Sequence, residues 1–178
     1  VVHSMGNRVL VRAIEDIARE HVRLKWIKKF RIVNAAADVA RDEYSAAMAR
    51  AEAARGDDGD DARFTPDVTI YASQNDLALA TSWLVNGFKT RLGQIVPTQD
   101  PYVHGNGRAV TIDTAVVSSD LFGHGYYSAN GNVIADMSCF FADRPIGTER
   151  ALAPASDGRS HYRFVASTKN ALAVCAPG

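Results

Sequence analysis

The chain has 178 residues, enough for one medium domain with a substantial core. Its 20 Lys and Arg balance 20 Asp and Glu, leaving no basic surplus for nucleic acid or an anionic membrane. The two cysteines, Cys139 and Cys175, are too few for a disulfide framework and lack metal-ligand spacing. The expectation is therefore one buried thiol and one separate tail thiol, with no metal and no cofactor. No apolar run approaches the ~20 residues that span a bilayer.

Val1-Val2 is strand-like, and His3-Ser4-Met5-Gly6 follows it directly. Beyond that, Val9, Leu10, Ala13, Ile14 and Ile17 recur at helical spacing, while Arg8, Arg12, Glu15, Asp16, Arg19 and Glu20 fill the other face. A strand, a serine in a sharp turn and a helix read as a nucleophile elbow, which presents a serine hydroxyl at the top of a sheet. Such a turn brings backbone close to side chain, so small residues are wanted two positions before and two after the serine. Gly6 meets the second requirement. Val2 stands at the first, where the full pattern has glycine. A helix starting just after Ser4 would set its positive dipole end beside the reaction centre and make the Met5 amide an oxyanion donor. The competing reading is that Ser4 only caps an ordinary helix.

Lys25-Trp26-Ile27-Lys28-Lys29 leads into an apolar run, Phe30 to Ala37, that suits a buried parallel strand ended by Asp38. An alanine-rich stretch from about Val39 to Arg55 is helical by propensity, with Tyr44 and Met48 on one face. Gly56-Asp57-Asp58-Gly59-Asp60-Asp61 is acidic but lacks the alternating ligand spacing of a calcium loop, and reads as a solvated connection. Pro66 introduces a strand from Val68 to Ala72, and Leu77 to Phe88 forms a helix. A strand from Ala109 to Val117, a polar loop containing Phe122-Gly123-His124-Gly125-Tyr126-Tyr127 and a helix from Asn132 to Phe141 follow. This alternation predicts an α/β fold, a mostly parallel sheet covered by helices.

Ser4 follows the first strand of that order, Asp76 the third and His124 the fourth. All three would leave the carboxyl ends of parallel strands, where open sheets bind ligands. Serine becomes a nucleophile when histidine takes its proton, and a carboxylate fixes the imidazole tautomer. Taken singly, Asp76 reads better as a cap for the helix at Leu77 and His124 as a surface residue; the three coincident placements reverse that preference. Asp38 and Asp113 are the competing acids. Trp83, Phe88, Phe122, Tyr126 and Tyr127 are candidates for an apolar pocket, though aromatics at such spacings are more often core.

His-Ser-Met-Gly-Asn-Arg-Val-Leu at 3–10, Asn-Ala-Ala-Ala-Asp at 34–38 and Tyr-Ala-Ser-Gln-Asn-Asp-Leu-Ala-Leu at 71–79 carry a family resemblance. Val-Thr-Ile-Asp at 110–113, Gly-His-Gly-Tyr-Tyr at 123–127 and Asn132-Val133-Ile134-Ala135-Asp136 continue it. Together they resemble the C-terminal half of the DUF900 group of α/β hydrolases, esterase- and lipase-like bacterial proteins. The resemblance covers about residues 1–165, leaving 166–178 as an unassigned tail. It implies a serine hydrolase of carboxylic esters, with Ser4 as nucleophile, His124 as base, Asp76 as acid and the Met5 amide as oxyanion donor. Small-molecule or lipid esters are the implied substrates. Family members also carry an upstream half with the early strands and a His-Gly-type loop giving a second oxyanion donor. His104-Gly105-Asn106-Gly107 matches that loop in letters only. The chain is accordingly expected to be a fragment, a processed subunit or an incompletely represented protein, competent only with the upstream strands supplied, another chain being one source of them; without them the first strand is an unpaired edge. The alternative is a non-catalytic hydrolase-like module serving binding or assembly.

Overall fold

Short β-branched and alanine-rich runs separated by helical stretches build a six-stranded sheet in the computed structural model, which describes residues 1–19, 29–54, 64–103, 108–117, 124–165 and 175. In chain order the elements are β1 (Val2–His3), α1 (Gly6–Arg19), β2 (Arg31–Ala35), α2 (Arg41–Ala53), β3 (Asp67–Ala72) and α3 (Leu77–Val85). They continue with β4 (Ala109–Asp113), α4 (Tyr126–Ala129), α5 (Gly131–Phe141), a 3₁₀ turn (Thr148–Arg150), β5 (Leu152–Pro154) and β6 (Tyr162–Phe164). The strand order is β1-β2-β3-β4-β6-β5, parallel throughout except for the antiparallel pair β5–β6.

Successive side chains along the strands point to opposite faces, and each face packs its own core. Ile32 and Ile70 join Val11, Ile14, Tyr44 and Met48 from α1 and α2 on one side. Their neighbours Val33 and Tyr71 join Ile112, Val133, Phe140, Leu152 and Phe164 on the other. Both faces of the central strands are therefore dry, which is why β2 and β3 read as nearly continuous apolar runs.

Several expected details differ. Val9, assigned to the apolar face of α1, is 71% exposed, whereas Val11 and Ile14 are buried. The stripe on α1 faces α2 through Val11 and Ile14, flanked by Leu10 and Ile17, so its phase is shifted from the one expected. The predicted strand 109–117 stops at Asp113. There the Thr114 N–H and hydroxyl both donate to the Ala72 carbonyl at 2.9 Å, and the chain turns. The helix expected to reach Phe88 ends at Val85, because Gly87 and Phe88 take positive φ of 71° and 59°. The hairpin β5–β6 was not expected. Cys139 and Cys175 form a disulfide, correcting the expectation of two separate thiols. The segments 25–28, 56–61, 104–107 and 122–123, together with the tail 166–178 apart from Cys175, lie outside the described residues.

Candidate active site

β1 lies at the sheet edge and pairs with β2 through Val2↔Asn34 and His3↔Ala35. Immediately after it, Ser4 adopts φ 50°, a left-handed conformation unusual for a residue with a side chain. Backbone bonds hold it there. The Ser4 N–H donates to Ala35 at 3.0 Å, and the Ser4 carbonyl accepts the Asp38 and Asn7 amides at 3.1 Å each. Asn7, fully buried on α1, adds its side-chain N–H to the same carbonyl at 3.0 Å. A Cβ on Gly6 would lie 3.3 Å from Val2 Cγ1, so the positions on either side of the serine do press on each other. With valine at one of them, a Cβ at the other would fit only if the Val2 side chain gave by a few tenths of an ångström. Helix α1 begins at Gly6, and its first amides, the neighbouring Met5 N–H included, have no acceptor within the helix.

Asp76 ends the loop after β3 and is 2% exposed. Its Oδ1 accepts the Leu79 amide at 2.9 Å and caps α3. Its Oδ2 lies 2.8 Å from His124 Nδ1, and His124 Nε2 lies 2.9 Å from Ser4 Oγ. An ionised carboxylate can only accept, so the Nδ1–H donates to Asp76 and Nε2 is left to accept from the serine hydroxyl. The three residues form one hydrogen-bonded chain across three loops at the carboxyl edge of the sheet. Such a chain can draw a proton from a serine oxygen and return it to a departing group.

The other two carboxylates are engaged elsewhere. Asp38 accepts from Arg8 Nη2 at 2.9 Å and from Ser82 Oγ at 2.5 Å, and pairs with Arg91 at 3.4 Å. It ties α1, one turn beyond Ser4, to α3. Asp113 accepts the Ala115 amide at 2.8 Å, and burial pushes its carboxyl above the usual range.

His3 is a neighbour that sequence reasoning passed over. Its Nε2–H donates to the His124 carbonyl at 3.2 Å, and its ring stacks on Tyr127 with centroids 4.2 Å apart. Burial pulls its pKa below the ordinary histidine value. Of the pocket candidates, Trp83 and Phe88 pack edge to face at 4.8 Å and are 38% and 60% exposed. Tyr127 is taken up by His3. Phe122 and the Tyr126 side chain lie outside the described residues. A cavity of about 500 Å³ beside the start of α2, lined by Arg41, Lys89, Thr90 and Tyr102 among others, contains none of Ser4, Asp76 and His124. Among the described residues no cluster of three His, Cys, Asp or Glu could hold a metal ion, and no helix is long and apolar enough to cross a membrane.

Residues 1–142 fit the family described as alpha/beta hydrolase of unknown function (DUF900), a span that includes Ser4, Asp76 and His124. No curated protein and no solved structure matches the chain.

Proposed function

The chain belongs to the DUF900 family of α/β hydrolases, and from that premise, joined to the hydrogen-bonded chain of Ser4, His124 and Asp76, we propose that it hydrolyses carboxylic esters through an acyl-enzyme. The single observation that carries this reading is His124, which bridges Ser4 Oγ and Asp76 Oδ2 at 2.9 and 2.8 Å. Ser4 Oγ attacks the ester carbonyl while His124 Nε2 takes the hydroxyl proton. Asp76 holds the imidazole in the tautomer that leaves Nε2 free to accept, and steadies its positive charge. The Met5 amide, at the positive end of α1, donates to the oxyanion of the tetrahedral intermediate. Collapse expels the alcohol, which takes the proton from His124. Water then repeats the sequence on the acyl-enzyme and releases the acid. The substrate is a small-molecule or lipid ester.

The test is covalent labelling of the purified protein with a fluorophosphonate, read by intact mass, alongside hydrolysis of a p-nitrophenyl ester. One adduct is expected, at Ser4. Ser4→Ala should lose the adduct and about 10⁴- to 10⁶-fold in kcat while melting as the parent does. The second reading, a non-catalytic module, draws on the position of β1 at an open sheet edge, a template for pairing with another chain. An unlabelled Ser4 in a protein that co-purifies as a stable complex would favour it and overturn the esterase.

A further inference from the structure

His124 is held through its side chain by Asp76 and Ser4. A base keeps a precise position when its main chain is fixed as well as its side chain. His3 contacts both. It is the last residue of β1, locked to β2 through Ala35, and it directly precedes Ser4. Its Nε2–H donates to the His124 carbonyl at 3.2 Å. Its ring stacks on Tyr127, in the first turn after the base, at 4.2 Å and an interplanar angle of 24°. It also meets the His124 ring itself, with centroids 4.9 Å apart and tilted by 54°. One side chain thus touches the backbone of the base, its ring and the following helix, from a position adjacent to the nucleophile.

We propose that His3 is a positioning residue that clamps the His124 loop onto the elbow, so that Nε2 stays within hydrogen-bond reach of Ser4 Oγ. This rests on the esterase reading above. The Asp76 bond sets the rotation of the imidazole, and the His3 bond sets where the imidazole is mounted. A displacement of about 1 Å at such a site costs up to ~10²-fold in rate, because the reacting atoms leave their near-attack geometry. The clamp works with His3 neutral, since one N–H suffices for the carbonyl and a charged ring would repel the imidazolium that His124 becomes during turnover. Its burial, which lowers its pKa, is consistent with that state.

Two substitutions separate the parts of the clamp. His3→Phe keeps an aromatic ring for Tyr127 and removes the donor. His3→Gln keeps an N–H near the Nε2 position and removes the ring. The experiment measures kcat and KM for p-nitrophenyl ester hydrolysis, the rate of fluorophosphonate labelling, and the melting temperature. His3→Phe is expected to lower kcat and labelling by between about tenfold and 10²-fold with KM unchanged. His3→Gln should recover most of that loss. Equal kcat in parent and His3→Phe, with Ser4 labelled in both, overturns the clamp and leaves the esterase standing. A fall in both variants that tracks only their loss of melting temperature also overturns it. If His3→Phe does not fold, His3→Met removes the donor with a smaller, flexible side chain, and an unchanged kcat there overturns the clamp. If Ser4 is unlabelled in the parent itself, the esterase reading fails and the clamp falls with it.

Discussion

The two oxygens of Asp76 answer to different elements, and substitution separates them. Oδ1 closes the first turn of α3 on the Leu79 amide, while Oδ2 accepts the His124 Nδ1–H. Asparagine caps a helix about as well as aspartate, so Asp76→Asn should keep α3 intact. With its oxygen on Leu79, however, the amide nitrogen faces His124 and donates to Nδ1. That moves the imidazole proton to Nε2, which can no longer accept from serine. On the proposed mechanism kcat should fall about 10⁴-fold with little change in melting temperature. Asp76→Ala should lose the same activity and a further ~1 kcal/mol of stability from the missing cap. Melts and ester turnover on both variants check this; equal destabilisation by asparagine and alanine would count against the divided role. The placement of Ser4, Asp76 and His124 could be anticipated from the sequence because each lies on a loop leaving the carboxyl end of a strand, and the fold collects such loops at one edge. His3 and Asn7 could not be read so. His3 meets a carbonyl 121 positions away, and that distance leaves no local pattern. Asn7 did carry a faint signal, a polar residue on the side of α1 that Val11 and Ile14 bury.

At the scale of elements, a buried polar knot fastens α5 and the 3₁₀ turn to the sheet. Arg150 donates to both oxygens of Asp136 at 2.8 Å, Tyr71 from β3 donates to Asp136 Oδ2 at 2.5 Å, and Arg150 reaches Thr69 Oγ1 at 3.3 Å. Asp136 and Arg150 are 2% and 4% exposed. Removing one charge would leave the other buried without compensation. Asp136→Ala should therefore cost about 3–5 kcal/mol. A urea titration would show this as a lower midpoint at unchanged slope. A cost under 1 kcal/mol would mean that water reaches Arg150. The sequence signalled α5 by its apolar spacing but not this knot, nor the strands it steadies. β5 and β6 have three residues each, too short for any period to declare itself. β6 is a strand because β4 offers Ile112 and Asp113 as partners to Tyr162 and Arg163, and β5 because β6 in turn offers Phe164, Arg163 and Tyr162 to Leu152, Ala153 and Pro154. The longer elements were readable for different reasons: α1 by the helical spacing of its apolar residues, α2 by its alanine content, and β2 and β3 by apolar runs that burial on both faces leaves nearly unbroken. The boundaries after β4 and α3 were missed for the opposite reason. Thr114 folds back on Ala72, and Gly87 and Phe88 turn left-handed, where strand and helix propensities alone would carry on.

Across the whole molecule, the hydrogen-bonded chain lies on the loops of β1, β3 and β4, while the covalent cross-link lies on a different element. Cys139 is buried on α5, and its partner Cys175 lies 36 positions further along the chain. The cross-linked residue is seated as well as bonded, since Ser138 Oγ donates to the Cys175 carbonyl at 3.3 Å. Closing a loop of 36 residues removes chain entropy from the unfolded state worth about 4 kcal/mol. For a domain of 178 residues that corresponds to roughly 10 °C in melting temperature, at ~2–4 °C per kcal/mol. Reduction, or Cys175→Ser, should therefore lower the melting temperature by about that amount. Below the new midpoint the rate of Ser4 labelling should hold, because the cross-link is seated against Ser138 on α5 and the nucleophile lies on the loop after β1. A scan with and without reductant, paired with labelling at 25 °C, tests both halves together. An unmoved melting temperature would mean that the cross-link restrains little of the chain. A lowered labelling rate with the fold intact would instead mean that α5 transmits its position to His124 through the short helix α4, which packs directly against it.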